Sequence, residues 1–338
     1  MTRTDGGHLD AALEGPDVTT TQTDTNSEQS EGRSRFGSGG GASGDRIFSG
    51  AALAAGVVIL VVLFAVAAFL VAQAVPALVA PQDQVAGGQG FWAYIVPLVI
   101  GTVIAAAIAL VIATPISIGV ALFISHYAPR KLAQVLGYVI DLLAAIPSVI
   151  FGAWGILFLA PAVVPGYTWL ASTLGWIPIF AGPASATGKT ILTASIVLAV
   201  MVIPIITSIS REIFLQTPKL HEEAALALGA TRWEMVRMAV FPFARPGVIS
   251  AVMLGLGRAL GETMAVALVL SSGPLIASLI RSGNQTIAAE IALNFPEASG
   301  LSLSTLIAAG LVLFVITLLV NVIARWVISR HKEFSGAN

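Results

Sequence analysis

The sequence predicts an all-α protein that crosses a membrane six times, and its composition and charge distribution support this. Hydrophobic residues make up 56% of the 338 residues and charged residues only 10%, whereas soluble domains carry about 25% charged residues. Charges are absent from residues 47–82, 84–129 and 298–324. A water-soluble fold could not bury so much apolar surface, because single cores stop growing at about 250–300 residues. Lipid is therefore the expected solvent for most of the chain.

Six apolar windows each exceed the length of about 20 residues that a helix needs to cross the hydrocarbon. Helices are predicted because an open sheet in lipid would leave the backbone groups at its edges unpaired. In the second window, Thr114-Pro115 predicts a kink, with the helix continuing to Ser125. The predicted spans are residues 49–75, 94–125, 133–159, 190–210, 248–270 and 303–328.

The ends of the chain and its basic residues predict how it is arranged in the membrane. Residues 1–46 are polar and are predicted to form a disordered tail, residues 47–330 the membrane domain, and residues 331–338 a short C-terminal tail. With six spans, 14 of the 17 Lys and Arg residues fall on the side that holds both termini. The positive-inside rule therefore predicts cytoplasmic termini. The net charge of −1 gives no indication of nucleic-acid binding, and the chain has no cysteine.

The loop at residues 212–246 predicts two helices joined by a glycine turn. Thr217-Pro218 predicts the start of the first helix, and Gly229 its end. Thr231 and Glu234 have the spacing of a capping box, so a second helix is expected, which Pro242 would stop. The residues alone leave open whether this is an ordinary amphipathic loop or a docking element. A further short helix is expected within residues 285–295.

This loop resembles the EAA loop of ABC importer permeases. Glu223, Ala224, Ala225, Gly229 and Pro242 stand at the spacing of that motif, although two apolar positions before the proline depart from it. The resemblance implies a type I importer permease fold in which the loop is the coupling helix that seats in a groove of the ATPase subunit. Small alanines would allow close approach, and Glu223 could pair with a basic groove residue.

Span five carries a charged pair, Arg258 and Glu262. Residues four apart share a face of a helix, and Arg258 is expected near mid-membrane, where a charge costs at least about 2.5–3.5 kcal/mol. Gly257 and Gly261 form a GxxxG pattern, which permits close helix contact. A self-satisfied structural pair is one interpretation. The other is an anion path, because the planar guanidinium matches phosphate oxygens and Glu262 could hold and partly neutralise it.

The stretch Gly-Leu-Gly-Arg-Ala-Leu-Gly-Glu-Thr-Met-Ala-Val at residues 255–266 resembles the permease subunits of phosphate ABC importers, the PstC family, and the resemblance covers about residues 47–330. It implies that Arg258 and Glu262 serve phosphate transport. Thr263 argues against the sulfate and molybdate permeases, which usually have Phe there. Implied partners are a PstA-like permease, ABC ATPase subunits and an external phosphate-binding protein, in a bacterial plasma membrane.

The sequence also bears on competing functions. Thr187-Gly188-Lys189-Thr190 is similar to the end of a Walker A loop, but position 183 holds Pro183 where that motif needs glycine. We therefore expect no nucleotide binding in this chain, and no enzymatic activity, since ATP hydrolysis is expected on a separate subunit. The spacing of the four histidines suggests no metal site, and no cofactor is expected. An ion-coupled secondary transporter is the alternative from another class, although no inverted repeat supports it. A sulfate- or molybdate-type ABC permease also remains an alternative.

Overall fold

The computed structural model describes residues 41–331 as helices joined by loops, and this part of the chain contains no β-strand. The all-α prediction is confirmed. Residues 1–40 and 332–338, which include most of both predicted tails, lie outside the described residues. Helical structure already begins at Gly41, within the predicted tail. The helices are α1 (Gly41–Val79), α2 (Phe91–Leu122), α3 (Arg130–Ala144), α4 (Ser148–Trp154), α5 (Ala160–Leu174), α6 (Ile191–Leu215), α7 (Lys219–Ala227), α8 (Arg232–Met235), α9 (Phe241–Gly261), α10 (Met264–Val269), α11 (Ile287–Asn294) and α12 (Leu301–His331).

Six helical segments in the described residues are long and apolar enough to cross a membrane, which is the number predicted. Contacts divide the chain into two compact units, with the boundary between Ala65 and Val66 inside α1. Because consecutive spans run in opposite directions, α7 lies at one end of the second unit, here called the α7 end. α11 lies at the opposite end, here called the α11 end. The segments are Ile47–Val79, Phe91–Tyr127, Ser148–Leu174, Ile191–Leu215, Arg232–Gly261 and Leu301–Trp326.

The third span differs from the predicted single helix at residues 133–159. The chain breaks at Pro147, where α3 has ended and α4 begins, because the residue before a proline is pushed out of the helical region. The segment long and apolar enough to span is therefore Ser148–Leu174, and α3 lies outside it. Both halves nevertheless run alongside α6. The hydroxyl of Ser208 donates to Asp141 Oδ1 at 2.7 Å, and Gly155 lies against Val197. The carboxylate of Asp141 thus links α3 to α6.

Span two and α6 form the centre of the bundle. Their contact buries a row of alanines, and small residues let two helices approach closely in a membrane. The hydroxyl of Ser117 on α2 donates to the carbonyl of Ile203 on α6 at 3.2 Å, and so joins the two helices directly. As predicted, α2 continues through Pro115, and it ends in the π-helical segment Phe123–Tyr127. The buried alanines of α2 are Ala105, Ala106, Ala109 and Ala113.

At the α11 end, the predicted short helix is present as α11. Thr286 caps it by accepting the N–H of Ala289 at 3.3 Å. The hydroxyl of Thr102 on α2 accepts the N–H of Ile287 at 3.0 Å, and a Cβ added to Gly101 would lie 2.2 Å from the carbonyl oxygen of Gln285. The chain before α11 is therefore held directly against the backbone of span two.

The helix after the glycine turn does not stop at Pro242, so that prediction is wrong. Helical structure continues from Arg232 to Gly261. The π-helical segment Val236–Val240 separates α8 from α9, and the N–H of Phe241 bonds to the carbonyl of Val236, five residues back. This wider turn places Pro242 in the first turn of α9, where a proline needs no N–H partner.

Candidate functional site

Arg258 lies on α9 beside Ile205 of α6, and both line a cavity of about 710 Å³. Ile205 is near the middle of α6, Ile191–Leu215, so the cavity reaches the middle of the bundle, where Arg258 is expected. Its side chain is exposed. Within the described part of the chain it has no hydrogen bond or ion pair. A guanidinium at this depth is costly unless it faces a polar path or a partner.

Glu262 does not share a helix face with Arg258, because α9 ends at Gly261 and Glu262 is extended, with φ −70° and ψ 124°. The predicted neutralisation is therefore absent, since the described residues show no ion pair between the two. Glu262 is instead 8% exposed, and its Oε1 accepts the N–H of Ala265 in the first turn of α10 at 3.2 Å. The span is thus broken at this carboxylate, and α10 continues it.

The break between α9 and α10 is held by a local hydrogen bond and by close packing of α10 on α4. The next residue, Thr263, donates its hydroxyl to the carbonyl of Gly261 at 3.2 Å. A Cβ added to Gly152 on α4 would lie 2.7 Å from the Cα of Ala265. The backbone of α10 therefore lies directly on α4, and only glycine at position 152 permits that approach.

The glycines of the GxxxG pattern face open space. A Cβ added to Gly257 or Gly261 would meet nothing within 4 Å in this chain, so they make no close helix contact here. By contrast, a Cβ added to Gly255 would meet Val202 and Ile206 of α6 at 2.7 and 2.8 Å. Gly257 and Gly261 thus lie on a part of α9 that no other helix of this chain covers closely.

The loop at the α7 end has the predicted helix–glycine–helix form. α7 ends before Gly229, which adopts φ 86°. Thr231 caps α8 by accepting the N–H of Glu234, and the Glu234 carboxylate accepts the N–H of Thr231 in return, so the capping box is confirmed. Thr217 does not cap α7: its hydroxyl oxygen is buried without a partner, and Pro218 is the N-cap residue.

The side chains of this loop divide into an exposed and a packed set. Glu223 and Ala224 are exposed, whereas Ala225 is half-buried against the cluster that includes Val236 and Val240. Large apolar side chains are nevertheless left open: Leu220 is 76% exposed and Leu228 90%, with Leu226 and Trp233 also exposed. Apolar surface of this kind commonly marks an interaction site.

Two groups of residues in the structure are not predicted from the sequence. Glu222, next to the motif residue Glu223, lies 3.5 Å from Nε2 of His126 at the end of span two. Asn321 and Arg325 of α12 line the same cavity as Arg258. The signal for the second group was available, because a polar and a basic residue four apart on an apolar helix share one face.

Two negative observations limit the chemistry. Among the described residues, no three His, Asp or Glu side chains lie together as a metal site would require. The residues that are similar to a Walker A loop have a structural role, because Thr190 caps α6 by accepting the N–H of Thr193 at 3.2 Å.

The fold is that of an ABC importer permease. It is similar to a transmembrane chain of a bacterial ABC transporter that imports the acidic polysaccharide alginate (TM-score 0.57, 17% identity, 85% of this chain and 96% of that chain covered). It is also similar to a chain of the inward-facing MetNI methionine ABC transporter (TM-score 0.52, 17% identity, 70% and 96% covered). At this level of identity, the likeness concerns the fold alone. The class defined by the fold is a multi-pass membrane protein with the architecture of ABC importer permeases.

Sequence relatives define the family more narrowly. Residues 113–333 match the model of the binding-protein-dependent transport system inner membrane component. The phosphate transport system permease protein PstC 2 of Mycobacterium tuberculosis is 47% identical over 301 residues, with 83% of this chain and 91% of that protein covered. PstC of Mesorhizobium japonicum is 42% identical over 245 residues, with 71% and 74% covered. The chain therefore belongs to the PstC family of phosphate transport system permeases, which confirms the resemblance described above.

Proposed function

We propose that this chain is the permease subunit through which an ATP-driven importer moves inorganic phosphate, and that Arg258 binds the anion on its path. The observation that supports this most strongly is the position of Arg258. It is an arginine at the middle of the bundle, exposed in a cavity and without a partner in the described chain. Arg presents a rigid fork of donors that fits two oxygens of a phosphate. The names of the relatives make phosphate the specific choice of anion.

Glu262 and Thr263 complete the proposed path. Only Oε1 of Glu262 is used by the first turn of α10, which leaves Oε2 able to accept a hydrogen bond. A protonated phosphate can donate that bond, whereas fully deprotonated sulfate cannot. A carboxylate one residue beyond the end of α9 also limits how tightly Arg258 retains the anion, because like charges repel. Thr263 sets the local backbone through its bond to Gly261.

The first experiment is uptake of labelled phosphate by cells that lack their own permease subunit and carry this chain with its cognate partners. Arg258→Gln should abolish uptake, while Arg130→Gln should leave it unchanged. Arg130 is an exposed arginine at the start of α3, so the two variants lose the same charge at different places. Normal uptake by Arg258→Gln would refute the site. Inhibition of uptake by excess sulfate or molybdate would indicate a sulfate- or molybdate-type permease. Uptake in cells without ATPase subunits would indicate a secondary transporter.

The α7 end is the proposed docking surface for the ATPase subunits. Glu223, Ala224 and Ala225 would lie in the ATPase groove, with Gly229 as the elbow and Pro242 at the base of α9. The exposed Leu220 and Leu228 supply apolar contact around them. ATP hydrolysis would then take place on a separate subunit, and movement of α7 would reach the bundle as a rigid-body displacement.

This docking proposal is tested by copurification of the ATPase subunits with the permease and by ATP-dependent uptake. Glu223→Arg should reduce both, because it places a positive charge opposite a basic groove. Asp83→Arg, an equal charge reversal in the exposed turn between α1 and α2, should leave ATPase copurification intact. Retention of the ATPase by Glu223→Arg at the wild-type level would contradict the proposed surface.

The proposed assembly includes a PstA-like permease and an external phosphate-binding protein. The open face of Gly257 and Gly261 would lie toward the second permease, so that the path runs between two subunits. In the proposed orientation in the plasma membrane, both termini and the α7 end are cytoplasmic. Since the chain lacks cysteine, single cysteines can test this orientation. Arg130→Cys, exposed at the start of α3 on the α7 side, should react with impermeant maleimide only in inverted vesicles, and Trp176→Cys, 79% exposed in the α5–α6 loop, only in intact cells.

A further inference from the structure

The cavity that holds Arg258 continues along α12, where it is lined by Asn321, Ala324 and Arg325. Asn321 and Arg325 are exposed, and Ala324 is buried between them. Like Arg258, Arg325 has no hydrogen bond or ion pair in the part of the chain that the structure describes. None of the described residues that line this cavity is a carboxylate. It therefore carries two arginines whose charges are not neutralised by its own walls.

The order of these groups along the bundle follows from helix direction. α9 and α12 run in opposite directions because they belong to consecutive spans. Arg258 is near the α11-side end of α9, whereas Arg325 is near the α7-side end of α12. Asn321 precedes Arg325 by four residues, or about 6 Å of helix, and so lies between the two levels. The donors thus succeed one another from mid-bundle toward the α7 end.

The wall contributed by α9 has one matching polar group. Ser250 lines the cavity eight residues before Arg258, which corresponds to about 12 Å of helix. Its hydroxyl donates to the carbonyl of Pro246 at 3.0 Å, so its oxygen is left to accept a hydrogen bond. A protonated phosphate oxygen can donate one. The other donors, an amide and a guanidinium, are suited to the deprotonated oxygens.

From this arrangement we propose that Asn321 and Arg325 form a second phosphate-binding position, at the α7-side end of the cavity, which receives the anion after Arg258. This inference rests on the proposed function. Two positions of similar chemistry let an ion leave the first one without passing through an apolar stretch, as multi-site conduction requires. The same donors would also fit the phosphate of an anionic lipid headgroup, because arginines near helix ends reach for the membrane surface.

The test uses the complete transporter, reconstituted in vesicles with its ATPase and loaded with phosphate-binding protein. Arg325→Gln should slow phosphate uptake about ten- to a hundredfold, the range expected for losing a hydrogen bond to a charged group. ATP hydrolysis stimulated by the binding protein should continue, because the first position is intact. Asn321→Gln, which keeps the amide, should be milder than Asn321→Glu, which would neutralise Arg325. Arg130→Gln is the control for loss of charge.

The outcomes separate this inference from the proposed function. If the unaltered chain transports phosphate and Arg325→Gln matches it, the second position is refuted and the function stands. If the unaltered transporter moves no phosphate, the proposed function itself fails. The uptake is measured in vesicles of zwitterionic lipid and again with anionic lipid added. A defect of Arg325→Gln in both supports free phosphate as the ligand, whereas a defect only with anionic lipid assigns the position to a headgroup and overturns the inference.

Discussion

Glu262 has two separable roles in the structure, and two substitutions distinguish them. Its Oε1 accepts the N–H of Ala265, and its buried charge is proposed to act in transport. Glu262→Gln keeps an acceptor oxygen at the same place but removes the charge. Glu262→Ala removes both. The two variants therefore share any effect of the lost charge and differ in the cap of α10.

The size of the capping effect can be estimated. Removing a side-chain cap costs about 0.5–2 kcal/mol, which raises the population of an opened α10 about two- to thirtyfold. Opening α10 would also expose Ala265, Val266 and Val269, which are at most 2% exposed. Glu262→Ala should therefore lower the melting temperature of the purified transporter, whereas Glu262→Gln should melt at or above the wild-type temperature because it no longer buries a charge.

The two measurements are phosphate uptake and thermal stability of the detergent-purified complex, made on the same preparations. We expect both variants to lose uptake, but only Glu262→Ala to lose stability. Glu297→Gln, an exposed carboxylate in the turn after α11, should change neither. Wild-type uptake by Glu262→Gln would refute a transport role for the charge. Equal melting temperatures for the two variants would refute the capping role.

Three further predictions follow from close contacts. Gly101→Ala should lower the melting temperature of the complex, because its Cβ would meet the backbone oxygen of Gln285 at 2.2 Å and overpacking costs about 1–3 kcal/mol. The control is Gly119→Ala on the same helix, whose Cβ would meet nothing within 4 Å and which should leave the melting temperature unchanged. Gly229→Ala should weaken ATPase copurification while the permease stays folded, because at φ 86° the cost of about 1–2 kcal/mol is local to the turn. His126→Ala should raise ATP hydrolysis per phosphate transported, because it removes the contact between span two and α7, the proposed docking helix; an unchanged ratio would contradict this.

Local chemistry explains which parts of the fold could be predicted from the sequence. The six spans follow from apolar length, and the turn at Gly229 from the one residue type that adopts positive φ at little cost. The capping box of Thr231 and Glu234 likewise depends only on residues three apart. None of these features requires knowledge of what packs against them, and the structure contains all of them.

The features that were missed or wrongly predicted depend on tertiary contacts. Gly261 is part of a GxxxG pattern and is interpreted as a helix contact rather than a helix end, so the four-residue spacing predicts one face for Arg258 and Glu262. The break forms where the backbone of α10 rests on Gly152, more than a hundred residues away in the chain. Pro242 predicts a helix end from the sequence, because the π-helical segment before it, Val236–Val240, has no sequence signature. Local propensity is overridden by packing in both places.

The break at Glu262 and the continuity through Pro242 together suggest how the two candidate sites communicate. Helical structure runs without interruption from Arg232, three residues past the elbow at Gly229, to Gly261, a length of about 45 Å at 1.5 Å per residue. Arg258 is near the far end of this rod, so a displacement of the α7 end would also shift the guanidinium. Beyond Gly261 the chain is extended at Glu262, and α10 is held against α4. A shift of α9 would therefore change the separation of Arg258 from the carboxylate of Glu262, which would alter the anion affinity of the proposed binding position.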